Sequence, residues 1–315
     1  MADTGSALIL PDGTPRILFC GATTLDRIFR VDVLPVGPGK VLSKQMAVVA
    51  HGIAASAAAA RLGADAILFS RLGDDETGQR ILDDLSAAGV DCAGVRRFAG
   101  VTSALCAVIV DDDGERLVVP HYEPALPTDP SWLPLEMVES ADAVLADIRW
   151  PRGAASLLDS ARLAGKPAVL DADIGSREVL LDLACRATYA IFSQPGARIA
   201  ADTDDDLEAL VGLADRLDRF VAVTLGADGC HWLDAGQLQR IAAYDINAVD
   251  TLAAGDIFHG TFTWALAQGV APRECIAIAI AIAIAAAAIK CQTFGGRLGA
   301  PDRAELLGFL QGTAR

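Results

Sequence analysis

A chain of 315 residues with 52% apolar side chains can bury a large core. Its net charge of −15 has the wrong sign for a nucleic-acid binder, and no run of lysine or arginine offsets it. Seven scattered cysteines without a C-x-x-C pair fit reduced, cytoplasmic thiols better than a disulfide framework or a zinc site.

Residues 1–15 are small and polar and read as a loose tail without the basic start and apolar centre of a signal peptide. Arg16–Gly21 is an apolar run ended by glycine, the pattern of a buried strand, and Asp26 follows as the chain leaves it. Ile28–Leu34 and Val41–Val49 flank a Pro/Gly-rich link. With Val101–Val110 and Arg116–Pro120 they are expected to form a small separate sheet, Asp111–Gly114 being a hairpin tip.

His51–Gly63 opens a helix with small residues and closes it with Leu62-Gly63. Ala66–Ser70 reads as a strand and Gln79–Ala88 as a helix, with Asp74-Asp75-Glu76 supplying charge at its N-terminus. From Ala141 strands and helices alternate regularly. Strands are expected at Ala143–Ala146, Ala168–Leu170, Ala190–Phe192 and Val221–Thr224. Helices are expected near Gly153–Ala164, Arg177–Cys185 and Asp206–Leu217. That alternation predicts an α/β fold with a doubly wound, mostly parallel sheet flanked by helices. Asp147 and Asp171 fall at strand ends, where they line a cleft or cap the next helix.

Thr224-Leu225-Gly226-Ala227-Asp228-Gly229 has the glycines of a tight turn that a ligand can approach closely. There is no G-x-x-x-x-G-K-[ST], which excludes a P-loop. In Glu274–Lys290 isoleucine alternates with alanine. Alternation suggests a strand, but the alanine content and the length favour a helix. The apolar run Cys275–Ile289 spans 15 residues. A membrane-spanning helix needs about 18–20, so this one reads as buried core.

The organising stretch is Asp250-Thr251-Leu252-Ala253-Ala254-Gly255-Asp256, which runs into an apolar helix reaching Gln268. Small residues leave the first helical N–H groups uncovered at the positive end of the helix dipole, a natural phosphate site. A carboxylate there can take the proton of an attacking hydroxyl.

This stretch resembles the second signature, D-T-x-[GA]-A-G-D, of the ribokinase (PfkB) family of carbohydrate kinases. His51-Gly52-Ile53-Ala54-Ala55-Ser56 is similar to the first, G-G-x-x-x-N, with His51 for a glycine and Ser56 for the asparagine. The segment 224–229 is similar to the family's T-x-G-x-x-G. Ser193-Gln194-Pro195-Gly196 stands where many members carry N-x-x-E, a motif that ketohexokinases also lack.

The resemblance implies a ribokinase-like kinase domain over residues 16–312, with a lid from insertions at about 28–49 and 99–121. It implies Asp256 as base and the amides of Ala253, Ala254, Gly255 and Asp256 as the anion hole. It places Asp26, His51, Gly52, Ile53 and Ser56 at the sugar, and Ser193, Thr224, Gly226, Gly229 and Cys291 at ATP. The loop beside Asp250 is implied to hold a monovalent cation such as K+. MgATP, a small sugar (a ketose or ketose derivative first) and a homodimer built through the lid complete the expectation. A nucleoside kinase of the same fold is the nearest alternative, and a non-catalytic sugar-binding regulator the other.

Overall fold

The computed structural model describes residues 10, 12–51, 53–269 and 276–312. In chain order the first strands are β1 Arg16–Cys20, β2 Thr24–Arg30 and β3 Gln45–His51. Helix α1 Ala55–Arg61, strand β4 Asp65–Gly73 and helix α2 Glu76–Ala87 follow, then β5 Val90–Asp91, β6 Val95–Phe98, β7 Ala104–Val110 and β8 Arg116–His121. The second half alternates: β9 Ala143–Asp147, α3 Pro151–Leu163, β10 Ala168–Ala172, α4 Arg177–Arg186, β11 Tyr189–Ser193, α5 Gln194–Ala201, α6 Asp206–Leu217 and β12 Phe220–Thr224. It ends with β13 Cys230–Asp234, β14 Gln237–Ile241, α7 Ala254–Ala267, α8 Ile276–Cys291 and α9 Arg303–Leu310.

The main sheet runs β14-β13-β12-β11-β10-β9-β1-β4-β5, with β6 on β4. Pairing is parallel from β12 through β5 and antiparallel at β12–β13 and β13–β14. Its apolar strands are buried on both faces, as parallel sheets require. Along β1, Ile17 and Phe19 pack toward α1, α7 and α8, while Leu18 and Cys20 pack toward α3, α4, α5 and α6. Strand order reverses at β1, which lies between β9 and β4. In open α/β sheets ligands bind at the carboxyl ends beside such a reversal.

A second sheet, β3-β2-β7-β8, stands apart. Its inner face buries Ile28, Val49, Cys106, Val108 and Val110, with Leu252 and Phe294 packed against them. Strand β2 starts at Thr24, earlier than the pattern predicted, so Asp26 lies within this sheet rather than in a loop after β1. The Asp111–Gly114 tip is a hairpin, with Asp111 Oδ1 accepting the N–H groups of Asp113 and Glu115.

Helices start and stop for local reasons. Asp75 caps α2 by accepting the Gly78 N–H at 2.7 Å, and Asp302 with Glu305 forms a capping box on α9. Helix α8 is apolar all round because it is buried on most sides, its first turn excepted. Glu274 and Cys275, which the sequence reading included in it, lie outside the described residues. Among the described residues no helix is long and apolar enough to cross a membrane. Helices α1 and α7 cross so closely that a Cβ at Gly260 would lie 2.3 Å from the Ala55 carbonyl oxygen.

Candidate active site

The start of α7 is built from small residues in a specific conformation. Ala253 adopts a left-handed backbone (φ 65°) and turns the chain into the helix, while Gly255 leaves open space where a side chain would stand. The Ala254 N–H turns back to the Thr251 carbonyl at 3.2 Å. Gly255 and Asp256 contribute first-turn N–H groups, which have no intrahelical acceptor.

Asp256 sits half-buried just inside this turn. Burial pushes its carboxyl up to about 6, with Asp171 adding repulsion. Asp147, at the end of β9, is also pushed up to about 6 by burial, although it accepts N–H groups from Arg149 (2.7 Å) and Ala22 (3.1 Å). Burial drives Asp171, at the end of β10, well above the usual carboxylate range. His259 lies behind these acids. Its Nδ1 is 2.6 Å from the Gly255 carbonyl and 3.5 Å from Asp171 Oδ2, and burial pulls the imidazole below its usual value. One cleft therefore gathers several carboxylates whose proton affinities have been raised, the environment in which acid–base chemistry runs near neutral pH.

Across the cleft, Asp26 and His51 form a buried pair. Nδ1 of His51 lies 2.6 Å from Asp26 Oδ2, and the Thr24 hydroxyl donates to Asp26 Oδ1 at 2.6 Å. The Arg297 main-chain N–H reaches His51 Nε2 at 2.9 Å. An amide can only donate, so Nε2 accepts and the ring proton sits on Nδ1, donated to Asp26. Arg297 is itself buried, bonded to the Ala50 carbonyl at 2.6 Å and paired with Asp84 at 2.7 Å.

Ile53 is buried with a positive φ of 38°. Ser56 is fully buried and donates its hydroxyl to the Ile53 carbonyl at 3.0 Å. Its proton is committed at the start of α1. Gly52 lies outside the described residues.

Asp250 ties the site together. Its Oδ1 accepts the Leu252 N–H at 2.8 Å, and its Oδ2 accepts those of Gly295 and Gly296, each at 2.9 Å. Two successive N–H groups from left-handed glycines form a nest for one oxygen. Burial works against the Asp250 charge, but Lys290 and these amides outweigh it and hold the carboxyl below its usual range. Lys290 was not foreseen. It is fully buried, with Nζ 3.5 Å from Asp250 Oδ2 and bonded to the Asp250 carbonyl.

A cavity of about 470 Å³ opens beside the start of α7. Its wall includes Thr224, Gly226 and Gly229 of the β12–β13 turn, Thr251 and Gly255 before and within α7, and Cys291 at the end of α8. Ser193 does not reach this wall among the described residues; its hydroxyl caps α5 by accepting the Gly196 N–H at 3.2 Å. The glycine turn and the Asp256 segment, separate in sequence, thus border one space.

Residues 15–303 match the model of the pfkB family of carbohydrate kinases. The chain is 33% identical over 255 residues to the ATP-dependent ribose-1-phosphate kinase of Halopiger xanaduensis, covering 79% of this chain and 84% of that one. It is 30% identical to fructokinase-1 of Oryza sativa subsp. japonica over 76% of this chain and 80% of that one. A crystal structure from Agrobacterium tumefaciens, provisionally named a ribokinase, superposes with a TM-score of 0.90 at 42% identity, over 95% of this chain and 98% of that one. With that match over most of its length, and with the Asp250–Asp256 signature folded into a helix start beside a cavity, the chain belongs to the pfkB family of ATP-dependent carbohydrate kinases.

Proposed function

We propose that this kinase transfers the γ-phosphoryl group of MgATP to a hydroxyl of a small, uncharged ketose, with Asp256 as base. The observation that carries this reading is the Asp256 carboxylate, its pKa raised to about 6, in the same helical turn as the free Gly255 amide. The sugar hydroxyl oxygen attacks the γ-phosphorus and its proton passes to Asp256 as the bond to the ADP oxygen breaks. The amides of Ala253, Gly255 and Asp256 meet the transferred charge; that of Ala254, already bonded to Thr251, adds least. ATP occupies the cavity walled by Thr224, Gly226, Gly229 and Cys291, with magnesium arriving as part of the nucleotide.

Asp26, oriented by His51 and Thr24, accepts hydroxyl protons of the sugar. The lid sheet closes over it and keeps out water, a competing acceptor of phosphate. The acid-rich lining favours an uncharged sugar over a phosphorylated one, since the nearby Arg149 is already paired with Asp173 at 2.9 Å. A ribose-type acceptor is the second reading, favoured by the ribose-1-phosphate kinase relative. ADP release measured across ketoses, aldopentoses and their phosphates separates the two. Turnover confined to phosphorylated ribose would contradict the ketose reading.

The outer edge of the lid supports a homodimer. Strand β8 is exposed along its whole length, including Leu117, Val118 and Val119, and Met46 and Val48 on β3 are exposed as well. Apolar surface of this kind is usually covered by a partner. Sedimentation as a monomer at micromolar concentration would contradict it. The free cysteines fit a reducing, cytoplasmic location.

A further inference from the structure

Lys290 lies in the last turn of α8 with no solvent exposure. A buried ammonium needs acceptors, and this one has the Asp250 carbonyl with the Asp250 carboxylate 3.5 Å away. Other negative ends converge on the same spot. The Cys291 carbonyl, at the negative end of the α8 dipole, accepts the N–H groups of Val249 at 2.7 Å and Asp250 at 3.1 Å.

A monovalent metal ion held by Asp250 would need its oxygens. Oδ1 is taken by Leu252, Oδ2 by Gly295 and Gly296, and the main-chain oxygen by Lys290. A potassium ion in this shell would also stand against the Lys290 ammonium, and like charges that close in a dry interior repel strongly. The residues present do not fit such an ion.

We propose that Lys290 supplies, as part of the chain, the positive charge that the Asp250 loop requires, so that this kinase works without a monovalent metal ion. The inference rests on the active-site reading above. Lys290 is a positioning residue. It holds Asp250, which in turn fixes two segments. One is Leu252, leading into the small-residue start of α7. The other is Gly295-Gly296, leading into the Arg297 amide that orients His51. Both sides of the cleft are thus anchored on one ion pair.

The experiment compares potassium chloride, ammonium chloride and tetramethylammonium chloride at equal ionic strength, reading both melting temperature and acceptor-dependent ADP release. For the wild-type protein neither reading should change beyond error between salts. Lys290→Ala, which leaves room for an ion, should lose about 10–100-fold in kcat in tetramethylammonium. It should recover in potassium or ammonium, and its melting temperature should rise with those two ions alone. Lys290→Met, which fills the space without charge, should stay slow in all three salts.

A wild-type melting temperature or rate that climbs saturably with potassium would overturn the proposal. So would a Lys290→Ala protein fully active without added cation. If Lys290→Ala fails to fold, the wild-type melting comparison decides alone, and it needs no acceptor. Missing wild-type turnover in every salt would count against the active-site reading, while the melting comparison would still decide this one.

Discussion

Asp26 Oδ2 and His51 Nδ1 stand 2.6 Å apart, and the Arg297 amide behind the imidazole fixes which nitrogen carries the proton. The pair joins the end of β3 to β2 and is largely buried, each side chain 6% exposed. A hydrogen bond to a charged group contributes about 1.5–3 kcal/mol, so Asp26→Asn and His51→Gln should each lower kcat/KM for the sugar by about 10–100-fold. The KM for ATP should change little. Because the two act as a unit, the double variant should lose less than the two single losses combined, with a coupling of about 0.5–3 kcal/mol. Fully additive losses in a double-mutant cycle would contradict the pairing.

Replacing the proposed base should separate activity from stability. Asp256→Asn should cost about 10²–10⁴ in turnover. Its carboxyl is raised to about 6 in the fold. The ionised form is therefore disfavoured there relative to the unfolded chain, so on its account stability falls as pH rises from about 4 through 6 and stays at the lower level above. Asn removes that penalty. The variant should melt at a higher temperature than the wild type at pH 8, and the gap should shrink as pH falls through 6 toward 4. Melting curves at the two pH values check this; a variant less stable at pH 8 would count against it.

Activity should follow the ionisation of the same group. Asp256 accepts a proton only as carboxylate, and with a pKa of about 6 its ionised fraction grows as pH rises through that value. For the free enzyme kcat/KM should climb about tenfold per pH unit below 5 and level off above 7. A profile already flat from pH 4 upward would show that Asp256 is not titrating as the base.

The crossing of α1 and α7 allows a test of the scaffold alone. A methyl group at Gly260 meets the Ala55 carbonyl oxygen at 2.3 Å, and that contact is backbone and cannot swing aside. Gly260→Ala should destabilise the fold by about 1–3 kcal/mol through overpacking. Chemical denaturation measures it; an unchanged midpoint would contradict so close a crossing.

Much of the fold was legible because its strands are short apolar runs separated by amphipathic helices. The helix predicted at Asp206–Leu217 occurs with those bounds. Helix α5 was missed, although a serine cap followed by proline in the first turn is a helix start. In α8 the Ile/Ala alternation mimicked a strand, and only length and alanine content argued for the helix that forms. Asp26 was legible as an acid just after β1 but not as part of a strand of the second sheet, since a carboxylate is uncommon within a buried β pattern.

The polar partners were the least legible part of the site. Lys290 ends an apolar helix forty residues after Asp250, and no local spacing joins them. His259 is one polar residue inside the apolar α7, and its link to Asp171 exists only after β10 and α7 pack. Arg297 acts on His51 through its main-chain amide, which a side-chain pattern does not encode.

The most direct test of the central claim is acceptor-dependent ADP release by the wild type and Asp256→Asn, side by side, on fructose, other ketoses, ribose and ribose-1-phosphate. The account expects wild-type turnover, highest on an uncharged ketose, and a fall of about 10²–10⁴ in the variant with ATP binding retained. An Asp256→Asn protein that turns over within tenfold of the wild type on its best acceptor would contradict it.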